Sequence, residues 1–112
     1  MTIREKTKKA LNLLDITSGY QEIINPPETY ITFFEYDYES EYSEDKVNRA
    51  IYIVQVDLWT KNPKYKHLEK QIIDAMESED FYLDDEEDLY EKDTKMYHKA
   101  FRFKLENTKE VE

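Results

Sequence analysis

Apolar positions alternate along residues 47–60. Tyr52, Val54, Val56 and Leu58 fall on one side, and Ile51, Ile53, Gln55, Asp57 and Trp59 on the other. A period of two predicts a strand, the longest in the chain. Residues 29–38 alternate in the same way, with Tyr30, Thr32, Phe34, Tyr36 and Tyr38 opposing Ile31, Phe33, Glu35 and Asp37. Their β-branched and aromatic side chains suit a pleated surface. The polar, acidic stretch from Glu39 to Asp45 joins the two runs into an antiparallel hairpin with a long tip. A further strand is expected over 95–106, where Tyr97, Phe101, Phe103 and Leu105 oppose His98, Arg102 and Lys104.

Two segments follow the helical period instead. Within 3–14, Thr7, Ala10, Leu11 and Leu14 form one stripe and the lysines take the other side. Asp15 to Gly19 breaks this pattern, and Ile16, Tyr20, Ile23 and Ile24 are expected to pack irregularly before Asn25-Pro26-Pro27 forbids a helix. A second helix starts at Asn62 as N-cap with Pro63 in its first turn. It buries Tyr65, Leu68, Ile72, Ile73 and Met76 and ends near Ser78. Residues 81–83 and 88–91 read as two short strand pieces split by an acidic run, and the tail from Asn107 as frayed.

The order helix, strand, strand, helix, strand, strand predicts one α+β domain over 1–112, with both helices on one face of a mainly antiparallel sheet. Its first two strands are apolar or aromatic on both faces, more than a solvated face shows. The uncovered face is therefore expected to receive a neighbouring subunit.

Composition narrows the function. At 112 residues the chain can bury one modest core. Hydrophobic residues make up 39% and charged residues 38%, but ten Tyr and five Phe argue for folding over disorder. Without Cys there is no disulfide, zinc-thiolate site or thiol chemistry. The net charge is −10; residues 1–20 hold four cations against two acids, so the remainder carries −12. Such a surface repels phosphate backbones, and specific nucleic-acid binding is not expected. The basic N-terminus lacks the apolar segment of a signal peptide, and no apolar stretch would span a bilayer. A cytosolic protein with no membrane partner and no cofactor is expected.

The run Asp84-Asp85-Glu86-Glu87-Asp88 lacks the alternating ligands and the Gly of a calcium loop. It reads as an acidic loop facing solvent or a partner. His67 and His98 stand apart, without a nucleophile motif, and read as surface histidines; no enzyme is indicated. Tyrosines gather on the hairpin, and tyrosine is favoured where one end is buried and the hydroxyl finds a partner. Tyr38, Tyr42 and Glu44 near the tip, with Trp59 on the longest strand, are thus candidate interface residues. His98, Arg102 and Lys104 make a basic face in an acidic protein. Meeting the acidic run of the next copy, that face would give head-to-tail contacts of the kind that close rings.

The strand Tyr52-Ile53-Val54-Gln55-Val56-Asp57-Leu58-Trp59-Thr60-Lys61, the helix from Pro63 through Ile72, and the ending Asp93-Thr94-Lys95-Met96-Tyr97-His98-Lys99-Ala100-Phe101-Arg102-Phe103 resemble the tail-terminator proteins of long-tailed bacteriophages. The likeness covers roughly residues 28–106 and the N-terminal helix. It implies a non-enzymatic virion assembly protein, hexameric when assembled. Such a ring would cap the tail tube, end its growth and join the tail to the head–tail connector, with the genome passing through its lumen. By the same resemblance, the chain works in the host bacterial cytoplasm during assembly and then resides in the virion tail. The acidic segment 84–93 departs from the family pattern. The main rival reading is an acidic nucleic-acid mimic that inhibits a DNA-binding host protein. A mimic would display carboxylates at phosphate-like spacing on a rigid face, whereas the predicted acidic run lies in a loop.

Overall fold

A computed structural model describes residues 2–42 and 47–107, with side chains placed for 2–36 and 51–106. The elements are α1 (Ile3–Leu11), β1 (Thr17–Tyr20), β2 (Thr29–Tyr42), β3 (Val47–Thr60), α2 (Lys66–Glu77), β4 (Tyr82–Glu91) and β5 (Met96–Asn107). The α+β class holds, but the order is α-β-β-β-α-β-β. One five-stranded sheet runs β1-β2-β3-β5-β4, antiparallel except for the β1–β2 pair.

β3 takes the middle because both its sides find partners over long registers. Thr29 to Tyr42 pair it on one side, and Tyr97 to Asn107 on the other. Phe33 lies opposite Val56, which lies opposite Phe101, while Val54 lies opposite Phe103. The alternation read from the sequence thus lines up across three strands into one apolar face. Ile3, Ala10 and Leu11 of α1, Ile72 and Met76 of α2, and Phe81 join that face in a single cluster. Phe33, Phe101 and Phe103 are essentially water-free. Each fully buried aromatic contributes on the order of 3 kcal/mol by removing its apolar surface from water.

β1 was not anticipated. It is four residues long and pairs in parallel with Tyr30 to Phe33. Its connection to β2 is short for a parallel pair and contains no helix. The return begins with a γ-turn in which Gln21 has φ 65° and the Glu22 amide donates to the Tyr20 carbonyl at 2.7 Å. Gly19, the chain's one glycine, faces this returning segment; a Cβ there would lie 2.8 Å from Ile23 Cγ1.

α1 begins at Ile3, as expected, whereas α2 begins later than expected. Thr2 caps α1, accepting from the Glu5 amide at 3.0 Å while the Glu5 carboxylate accepts from the Thr2 amide at 2.9 Å. This is a capping box. α1 ends at Leu11, not at residue 14. The helix expected at Asn62 starts at Lys66. Asn62 instead accepts from the Lys64 amide at 2.9 Å, making a local turn ahead of the helix. α2 ends at its C-cap Ser78, as expected.

The segment 81–91 is the largest correction. It is one strand, not two pieces around a loop, and β4 runs through the whole acidic run with a register shift between Leu83 and Asp85. β2 likewise continues through Glu39 to Tyr42, which had been assigned to the connection; Glu44 lies outside the described residues. A bulge between Glu35 and Asp37 interrupts the simple alternation read for this strand.

Candidate functional site: the open face of the sheet

The helices cover one face, so the opposite face presents a row of side chains fixed by register. Tyr30, Trp59, His98 and Leu89 lie side by side across β2, β3, β5 and β4. The next row holds Thr32, Asp57, Ala100 and Glu87, and the third Phe34, Gln55, Arg102 and Asp85.

Aromatic rings in the first row stack on one another. Trp59 and His98 lie 3.8 Å apart between centroids at 12°, and Tyr30 stacks on Trp59 at 6.1 Å and 12°. Trp59 therefore has a stacked neighbour in Tyr30 and another in His98. The Trp59 indole donates to Thr32 Oγ1 at 3.0 Å. His98 Nε2 meets Asp57 Oδ1 at 2.7 Å, and Gln55 Nε2 donates to the same carboxylate at 2.9 Å. A carboxylate accepts only, so this bond places the ring proton on Nε2. Arg102 extends the chain, donating through Nε to Gln55 Oε1 at 3.2 Å, through a terminal nitrogen to Asp85 at 2.9 Å and to Glu87 at 3.4 Å. Burial works against the Arg102 charge, but Asp85 and Glu87 outweigh it and hold the guanidinium above its ordinary value.

The open face is thus not the spare apolar surface that was expected. Its centre is a hydrogen-bonded aromatic and ionic network, with Asp57, Thr32 and Ala100 buried within it. His98 is not a surface histidine either: its side chain is only 12% exposed. His67 is exposed.

The basic residues of β5 and the acids of β4 also meet inside one chain. Arg102 takes Asp85 and Glu87, and Lys104 lies 3.7 Å from Asp84. Lys99, which had not been singled out, pairs with Glu86 at 2.7 Å, Asp88 at 3.1 Å and Glu69 of α2 at 3.9 Å, although it is 5% exposed. Burial alone would lower its pKa, but bonds to Glu86 and Asp88 with the Glu69 charge raise it. The charge complementarity expected between copies is met within the fold. This also explains why a run of five acids becomes a strand: β5 presents three cations in register with it.

Of the remaining candidates, Tyr38 and Tyr42 lie on β2 opposite Tyr52 and Val47; their side chains fall outside the described ones. Trp59, His98, Arg102, Asp85 and Glu87 share the open face on β3, β5 and β4, whereas Glu86 and Asp88 meet Lys99 on the helix-covered face. The sequence reading missed Asp57, Gln55 and Thr32 as members of the network. A polar Asp between Val56 and Leu58 was the available signal, since an acid in a central strand needs partners.

The surface of the described residues has depressions, one of them beside the network. It measures about 180 Å³ and is lined by Gln21, Glu22, Ile23, Tyr30, Thr32 and Trp59. That is below the roughly 300 Å³ at which small-molecule sites begin. Another of about 390 Å³ opens between the end of α1 and α2, lined by Leu13, Leu14, Asp15, Gln71, Asp74, Ala75 and Ser78. Among the described residues no group of three or more His, Asp or Glu could hold a metal ion, and no helix is long and apolar enough to cross a membrane. Neither the known protein-family models nor the curated proteins contain a match to this chain.

Proposed function

We propose that this chain is a non-enzymatic, ring-forming assembly subunit of the tail-terminator type, which caps a phage tail tube and joins it to the head connector. The observation that carries the reading is the one-sided architecture. Helices cover a single sheet face, while the 14-residue strands of the β2–β3 hairpin give a body of 52 × 25 × 24 Å. A subunit that must touch neighbours, tube and connector together needs such an extended arm and a free sheet face. The resemblance across residues 28–106 supplies the specific role, including a hexameric ring, and its acidic surface would let DNA slide through the lumen without sticking.

The test is direct. Purified protein is added to polymerising tail-tube protein, and tube lengths and ends are imaged. Shorter tubes with a ring of extra density at one end support the reading; an unchanged length distribution and bare ends refute it.

A specific observation also favours the nucleic-acid-mimic reading. The acidic run is held on a rigid strand, where alternate carboxylates stand about 6.8 Å apart, rather than in a loop. Three cations of β5 offset part of that charge, which weakens the mimicry. Recovery of a DNA-binding enzyme or repressor by the immobilised protein from host lysate, lost on adding DNA, would favour it over assembly.

A further inference from the structure

Among the described residues the sheet ends on one side at β1, which leaves β2 uncovered beyond Phe33, and on the other at β4 over its whole length. An open edge is a row of backbone donors and acceptors ready to pair with another strand. We infer that the outer edge of β4 receives an extended basic segment of a partner protein as a sixth strand of the sheet.

Charge decides what can sit there. β4 carries six carboxylates (Asp84, Asp85, Glu86, Glu87, Asp88 and Glu91) and no cation. Arg102, Lys99 and Lys104 reach five of the six from the β5 side, so six negative charges meet three positive ones. The strand at this edge therefore keeps an excess of negative charge. A second copy fits poorly: β4 against β4 sets acid opposite acid, and the open part of β2 carries Glu35, Asp37, Glu39 and Glu41. Like charges directly across a ladder are destabilising.

The same carboxylates also guard a strand edge, and a guard needs no partner. Yet edges that only need guarding are usually short, or broken by Pro or bulges. β4 has ten residues without Pro or Gly, and although its register shifts between Leu83 and Asp85, it pairs without a break with β5 from there to Glu91. It also leaves Leu89 and Tyr90 40% and 50% exposed at the end of the acidic run. A guard gains nothing from exposed apolar groups, whereas an incoming strand does.

The occupant's pattern follows from the faces. Asp85 and Glu87 meet Arg102 on the open face, and Glu86 and Asp88 meet Lys99 on the helix face. Acids on both faces call for consecutive basic residues, not alternating ones, followed by apolar residues against Leu89 and Tyr90. Main-chain bonds supply affinity and the side chains supply choice, as in strand addition generally. This inference stands apart from the assembly reading, because any partner with such a segment satisfies it.

The test uses a labelled peptide, Val-Val-Lys-Arg-Lys-Arg-Val-Val, which serves either strand direction. Fluorescence anisotropy with the full chain is measured near 0.15 M salt, and amide hydrogen exchange is followed along the sheet. The expected result is saturable binding with slowed exchange confined to residues 82–91. Methylating alternate peptide nitrogens should weaken it at least tenfold, and replacing its cations by Glu should abolish it. Binding that survives methylation within threefold would show charge attraction alone and overturn the inference. So would protection elsewhere on the sheet, or no binding at all.

Discussion

Asp57 is the acceptor on which the open-face network converges, so its removal has a calculable effect. Its side chain is 6% exposed and that of His98 12%, which leaves water little room to replace lost bonds. Asp57→Ala deletes the 2.7 Å contact from His98 and the 2.9 Å contact from Gln55. Hydrogen bonds to a charged group contribute about 1.5–3 kcal/mol each, and a buried donor left unpaired costs about 1–3 kcal/mol. Gln55 can turn toward solvent, so the lower end applies and the loss should be about 2–3 kcal/mol. For a chain of this length that corresponds to a fall of roughly 8–12 °C in Tm. His98→Ala should cost about 2 kcal/mol, because it removes the Trp59 stack as well. Urea unfolding followed by far-UV circular dichroism and by Trp59, the one tryptophan, gives both values. The double variant completes a cycle whose coupling energy should be about 1–2 kcal/mol. A coupling below about 0.5 kcal/mol would refute the reasoning, since the two side chains would then act as independent surface groups.

Lys99→Met should destabilise by about 2 kcal/mol, measured in urea, because Glu69, Glu86 and Asp88 lose their shared cation. The Lys99 pKa is raised in the fold, so its contribution is full below the ordinary lysine value and fades as pH climbs through the folded value. Melting temperatures between pH 8 and 11 should fall more steeply in the parent than in Lys99→Met. Glu35 behaves in the opposite sense: burial raises it, but bonds from Tyr20 at 2.7 Å and Arg4 at 3.0 Å leave it lowered overall. Its contribution is present above the ordinary carboxylate range and lost as pH falls through the folded value, so Glu35→Gln should flatten the acid limb of the stability profile. Thr2→Ala removes the α1 cap and should cost about 1 kcal/mol by thermal melting, with Thr2→Ser restoring it.

Local pattern determined a large part of this protein. The alternation in residues 47–60 and 95–106 defined β3 and β5 and grouped Val54, Val56 and Leu58, and Phe101 and Phe103, on the faces that the fold buries. The spacing of Leu68, Ile72 and Met76 defined α2. In these segments a single chain-local period coincides with which side is buried, so no partner had to be known.

Tertiary structure decided the rest, because the deciding partner lies far along the chain. Five consecutive acids disfavour a strand locally; Lys99, Arg102 and Lys104 reverse that preference only once β5 lies alongside. β1 exists because Gly19 leaves room for Ile23 and because Phe33 offers its carbonyl to the Gln21 amide at 2.9 Å. His98 and Asp57 are 41 residues apart, and only strand register makes them a pair. Charge composition could state how acidic the chain is. Where each charge is neutralised, and which edge is left with an excess, depended on which strands became neighbours.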